Sequence, residues 1–251
     1  MKLRQFLLTP SMGKRLIGRA LTADERIRAV MAKGTLVIIA GSTNGYVAEE
    51  ILVATGQAEG FSRVGFRRGV TVPPGFKGLP KGKLEGDVIL VDGKWIKGQT
   101  IFDVADDLKA GDVILKGANA VDLSRGQAAV YIGDPQAGTI GVSLRAVYGR
   151  RVRLIVPVGL EKRVTDDVNA LAAEVNAVDA EGPRLLPMPG AIFTELDAVR
   201  TLTGATARLV AAGGTHGAEG CVYVGVKGSP DRLEAAEKIM KSLAGEPPCE
   251  V

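Results

Sequence analysis

The sequence predicts an α/β fold: a mostly parallel sheet with helices on both faces, followed by a smaller C-terminal α+β unit. Three observations point there. The uncharged apolar runs Thr35-Leu36-Val37-Ile38-Ile39-Ala40, Val113-Ile114-Leu115 and Leu154-Ile155-Val156 have the character of strands buried on both faces. Segments with apolar residues at helical spacing alternate with them, the pattern of βαβ units. Aromatic residues make up only 4% of the 251 residues while glycines number 33, so the core rests on Val, Ile, Leu and Ala, and tight turns join short elements.

From the start of the chain, residues 3–8 read as a strand, and Ser11 as the cap of a helix carrying Leu16, Ile17 and Leu21. Thr22-Ala23-Asp24-Glu25 is a capping-box pattern. It opens a second helix with Ile27, Val30 and Met31 on one face, ended by Gly34. After the buried strand at 35–40, Gly41-Ser42-Thr43-Asn44-Gly45 forms a polar loop leading into a helix with Val47, Ile51 and Leu52 on one side. Residues 57–100 depart from the α/β pattern, with Pro73, Pro74 and Pro80 interrupting any helix or central strand. Asp92-Gly93 between apolar runs predicts a hairpin with a type I′ turn. A short helix near 102–108 returns the chain to the run at 113–115. Strands at 127–132 and 152–158 follow, with a helix bearing Ile140, Leu144, Val147 and Tyr148 between them.

The character changes near residue 160. The expected division is a ligand-binding α/β domain at 1–160, containing the irregular excursion at 57–100, and a smaller α+β domain at 161–251. The latter holds a helix at Val168, Leu171, Ala172 and Val175, a strand at 184–187 and a helix at 193–202. Strands at 206–212 and 221–226 flank a glycine-rich loop, and Ser229-Pro230 is a good N-cap and N1 pair for a last helix.

Charge is uneven. Between 57 and 100, Arg63, Arg67, Arg68, Lys77, Lys81, Lys83, Lys94 and Lys97 face four acids, Glu59, Glu85, Asp87 and Asp92. This local excess equals the whole net charge of +4, and reads either as a solvated face or as a field that attracts an anion. Nucleic acid is the weaker expectation, since only Phe61, Phe66, Phe76 and Trp95 offer stacking surfaces there. Cys221 and Cys249 lack metal-type spacing and suit a reducing cytoplasm. Phe6-Leu7-Leu8 is too short for a signal h-region, and no run approaches a membrane span.

The most informative stretch is Lys116-Gly117-Ala118-Asn119-Ala120-Val121-Asp122. An apolar run stops there and gives way to small residues and two ligand-capable groups, Asn119 and Asp122. Such strand ends open into ligand crevices in α/β sheets. Residues 41–45 supply a second candidate, because backbone N–H groups at a helix start hold anions and the Ser42 and Thr43 hydroxyls add to them; ordinary capping explains the same residues equally well. Neither a Walker A sequence nor a dinucleotide fingerprint is present, and no cofactor or metal set is predicted. His216, the single histidine, sits between glycines in the predicted hairpin loop.

The order of these pieces resembles the NagB/RpiA/CoA-transferase-like fold group over residues 34–160. Residues 41–45 resemble the Gly-Ser-Thr loop of ribose-5-phosphate isomerases, and residues 117–122 their Gly-Ala-Asp-x-Val-Asp strand end. Gly117 through Gly126, Gly138-Thr139 and Ile155-Val156-Pro157-Val158 are similar to the subunits of translation initiation factor 2B and related sugar-phosphate isomerases. The resemblance implies that Gly41, Ser42, Thr43, Asn44 and Gly45 hold an anionic end of a phosphorylated sugar or nucleotide. Gly117, Asn119 and Asp122 would face its reactive part, Gly138 and Thr139 would close the site, and the protein would be a homo-oligomer. Asn119 stands where the group has an aspartate, and the stretch 140–148 carries no acid, so Asp122 is left as the acid/base of an isomerase-like enzyme. The alternative is a non-catalytic regulatory homologue that has lost the chemistry.

Overall fold

The structure, a computed structural model, describes residues 2–68, 75 and 84–249. In chain order it contains β1 (Lys2–Leu8), α1 (Pro10–Ala23), α2 (Glu25–Ala32), β2 (Thr35–Ile38), α3 (Ser42–Ala54), β3 (Val88–Val91), β4 (Lys94–Ile96), α4 (Ile101–Val104), β5 (Val113–Leu115), β6 (Ala120–Asp122), β7 (Gln127–Ile132), α5 (Gly138–Arg150) and β8 (Arg153–Pro157). A 3-10 turn (Leu160–Lys162) leads to α6 (Val168–Val175), β9 (Arg184–Pro187), β10 (Ala191–Phe193), α7 (Glu195–Thr203), β11 (Thr206–Ala212), β12 (Val222–Gly228) and α8 (Pro230–Leu243). The prolines at 73, 74 and 80, together with Phe76, Lys77, Lys81 and Lys83, lie outside the described residues.

The fold is mixed α/β. The central sheet has six strands in the order β10-β8-β5-β2-β3-β4. The pairs from β10 to β2 are parallel, while β2–β3 and β3–β4 are antiparallel. Two further three-stranded sheets, β1-β12-β11 and β6-β7-β9, are antiparallel throughout. Among the described strands, parallel ladders join β10, β8, β5 and β2, whose connections are long enough for a crossover, and a single parallel bridge links Val121 to Arg163. The expected division at 160 is crossed by three strand pairings: β1 with β12, β7 with β9, and β8 with β10.

Local chemistry explains the element ends. Thr9 caps α1 by accepting from Met12 N at 3.2 Å, with Pro10 preset at N1. Ser11, expected as the cap, is instead buried inside the first turn. Asp24 caps α2 through Arg26 N at 2.9 Å, whereas Thr22 bonds back to Gly18 O within α1. Asp92 (φ 47°) and Gly93 (φ 77°) form the left-handed pair that a type I′ turn requires.

Alternation along the strands divides the core in two. Leu36 and Ile38 pack in one cluster with Leu16 and Ile17 of α1 and Val47, Ile51 and Leu52 of α3. Val37 and Ile39 pack in another with Ile101 of α4 and Ile140 and Ala146 of α5. Each of these large side chains, removed from water, contributes roughly 1.5–3 kcal/mol.

Candidate functional site

From β2 the chain passes through α3 to β3 on one side of the sheet order, and from β5 it proceeds to β8 on the other. Connections that diverge this way leave a crevice at the carboxyl ends of the two strands. A cleft of about 700 Å³ lies there, lined by residues 40–44, 116–119, 130–134 and 137–140 with Arg67, Arg68, Phe102 and Lys162. Gly41, Ser42, Thr43, Asn44, Gly117, Asn119, Gly138 and Thr139 therefore share one cavity. Gly45 lies a step further into α3, where an added Cβ would meet the Arg63 Cβ at 3.1 Å. A wider groove of about 1050 Å³ beside β1 and α8 is a charged surface in which Glu237 pairs with Lys241 at 2.8 Å.

The segment expected as a loop is the first turn of α3, which starts at Ser42 without a side-chain cap. Asn44 holds the crevice together. Its Nδ2 donates to Ile39 O at 2.8 Å and to Leu115 O at 2.9 Å, joining the ends of β2 and β5. Because both partners are carbonyls, the amide orientation is fixed. Asn44 is 0% exposed and its Oδ1 meets no donor; Thr43 is 2% exposed and its Oγ1 has no partner. Buried polar atoms are normally satisfied, and leaving one unmade costs roughly 1–3 kcal/mol. The first N–H groups of α3 lack intrahelical partners as well.

The second helix start on the cleft is that of α5. Ala137 precedes it in the left-handed conformation (φ 62°), Gly138 follows at φ 53°, and no side chain caps the helix. A left-handed alanine costs on the order of 1 kcal/mol.

Among the described residues, four cationic side chains line the cleft, against Asp134 as the one carboxylate. Arg68 reaches down to buried Asp87, donating from Nε at 3.3 Å and Nη2 at 3.0 Å. Asp87 also accepts from Ala40 N at 2.9 Å and Ile101 N at 2.8 Å. Among the described residues, Lys116 and Lys162 make neither ion pairs nor side-chain hydrogen bonds. Burial pushes the Lys116 ammonium down to about 8; Asp87 opposes the shift, while Arg68 and Lys162 add to it. Burial likewise lowers Lys162, against the field of Glu161.

Lys162 is placed by the 3-10 turn. Buried Glu195 accepts from Leu160 N at 3.0 Å, and Glu161 pairs with Lys14 at 3.6 Å. Burial, then Glu161, drives the Glu195 carboxyl up to about 8. An added Cβ at Gly13 would lie 2.4 Å from Glu195 Oε1, so a glycine is needed where α1 passes this carboxylate.

Asp122, expected as the acid/base, does not line the cleft. The chain leaves β5 at Leu115, crosses over residues 116–119 and enters a different sheet, placing Asp122 at the far end of β6. There it accepts from Ser124 N at 2.8 Å, Ser124 Oγ at 2.6 Å and Arg125 Nη1 at 2.9 Å. The Ser124 and Arg125 hydrogen bonds hold its carboxyl at about 2. It is a turn-fastening carboxylate. Asn119 lines the cleft, and its Oδ1 accepts from Tyr131 N at 3.1 Å. Glu49 and Glu50 pair with Arg15 at 2.6 and 2.9 Å and do not line the cleft. His216 (φ 55°) is exposed on the β11–β12 hairpin, its Nδ1 3.1 Å from Thr215 Oγ1.

Among the described basic residues of the excursion, Arg63, Arg67 and Arg68 are half-buried, while Lys94 and Lys97 are exposed. Arg63 pairs with Glu49 and stacks over Tyr46, and Lys97 lies over Trp95. Phe61 packs edge-on against Phe66 and Trp95, with centroids 5.2 and 6.0 Å apart. Among the described residues no group of three or more His, Cys, Asp or Glu could hold a metal ion, and no helix is long and apolar enough to cross a membrane. No protein-family model, curated protein or solved structure matches the chain.

Proposed function

We propose that the cleft between β2 and β5 binds a small anionic metabolite, a phosphorylated sugar or nucleotide. The observation that carries this reading is that Thr43 and Asn44, whose buried Oγ1 and Oδ1 have no partner, line the same cleft as two lysines that make no ion pair among the described residues. A phosphate accepts from the Thr43 hydroxyl, the first N–H groups of α3 and α5, and the Lys162 ammonium. Asn44 Oδ1 accepts, so it calls for a donor such as a sugar hydroxyl. The reading extends what the resemblance to the NagB/RpiA/CoA-transferase-like group implies for residues 41–45, 117, 119, 138 and 139.

Chemistry of the isomerase type would need a proton-transferring group in the cleft. Asp122 is engaged elsewhere and Asn119 is a neutral amide, so proton transfer would fall to Asp134 or the cleft lysines; binding without turnover is the second reading. A thermal-shift screen with sugar phosphates, nucleotides, acyl-CoA compounds and their unphosphorylated counterparts tests the proposal. A ligand at a hundred times its Kd stabilises the native state by about 2.7 kcal/mol, so a phosphorylated compound is expected to raise Tm while its parent does not. Equal responses to both would remove the anion site from the reading.

A further inference from the structure

Resting on that reading, we infer that Lys116 is an imine-forming amine and that the cleft takes a phosphorylated compound carrying an aldehyde or ketone. Lys116 follows directly on β5, at the carboxyl end of a central strand and on the wall of the cleft. Its surroundings oppose protonation. Asp87, the carboxylate whose field favours its charge, is already occupied by Arg68 and two backbone N–H groups. Arg68 and Lys162 add positive field of the same sign. Arg68 and Lys162 supply the positive field that holds a phosphate, and the same field leaves Lys116 with more of the free amine that a nucleophile needs.

The step balances within the site and needs no oxidant or reductant. The Nζ lone pair adds to the carbonyl carbon, the two protons of the neutral amine pass to the carbonyl oxygen, and that oxygen leaves as water as the carbon–nitrogen double bond forms. The phosphate of the same molecule is held by Thr43 and the start of α3, which fixes the carbonyl beside Lys116. A pKa near 8 leaves on the order of a hundredfold more free amine at pH 7.5 than an ordinary lysine at 10.5.

The test is reductive trapping. The full chain is incubated with glyceraldehyde 3-phosphate or with glyceraldehyde in the presence of cyanoborohydride, and the modified lysines are mapped by mass spectrometry. The expected result is an adduct at Lys116 well ahead of every other lysine, formed faster with the phosphorylated aldehyde and suppressed by inorganic phosphate. Lys116→Arg keeps the charge and is expected to bind inorganic phosphate, seen as a thermal shift, while losing the adduct. Phosphate binding in the native chain with adducts spread over surface lysines, or centred on Lys162, overturns the imine proposal and leaves the anion site standing. No phosphate binding and no adduct overturns both.

Discussion

Thr43→Val separates what the cleft needs for binding from what the fold needs for stability. The substitution keeps the β-branched shape and nearly the same helix propensity. It deletes a hydroxyl that is 2% exposed and has no partner. Burying such a hydroxyl costs roughly 1–3 kcal/mol, so removing it stabilises the ligand-free protein. Even 1 kcal/mol corresponds to a rise of about 2–4 °C in Tm for a chain of this size. A hydrogen bond to a charged group is worth roughly 1.5–3 kcal/mol. Loss of the Thr43 bond to a phosphate therefore weakens binding by about ten- to a hundredfold. Thermal melts without ligand, paired with calorimetric titration of inorganic phosphate and a pentose phosphate, read both quantities. A Thr43→Val protein that melts lower and binds as the native chain does would refute the reasoning on both counts.

Three other variants test separate parts of the structure. Glu195→Gln addresses pH dependence. The folded carboxyl is raised from 4.5 to about 8, so its favourable contribution is complete below 4.5 and is lost as the pH climbs to 8. The native Tm should fall across that window and the variant's Tm should stay flatter; parallel melting curves would count against the buried carboxyl. Ala137→Gly relieves a left-handed alanine at φ 62° and should stabilise by about 1 kcal/mol in urea unfolding; destabilisation would show that the conformation carries no strain. Asp122→Asn loosens the turn to Arg125, lowering Tm at neutral pH, yet should leave phosphate affinity unchanged. A drop in affinity like that of Thr43→Val would place Asp122 in the binding site after all.

The central strands were legible because burial on both faces leaves an unbroken apolar run, as in Val113 to Leu115. The Asp92-Gly93 hairpin was legible because few residues tolerate two successive left-handed positions. The pairing of β1 with β12 was not, since a half-exposed edge strand says nothing about a partner more than two hundred residues away. The same limit applies to the site. Residues 41–44, 117, 119, 138 and 139 stood out as polar or glycine-rich breaks beside apolar runs. Lys162 did not, because its turn is held by partners distant in sequence, Glu195 on Leu160 and Lys14 on Glu161. Asp122 was read with Asn119 as part of one strand end, whereas the four residues at 116–119 carry the chain out of β5 and into another sheet.

Titration of isotope-labelled protein with a pentose phosphate, followed by amide NMR, tests the location of the site most directly. Binding at the switch point between β2 and β5 predicts that the largest shifts fall on residues 41–45 and 138–140, with smaller ones around 116–119. Shifts centred on the β11–β12 hairpin or on the Asp122 turn, with residues 41–45 unmoved, would contradict it.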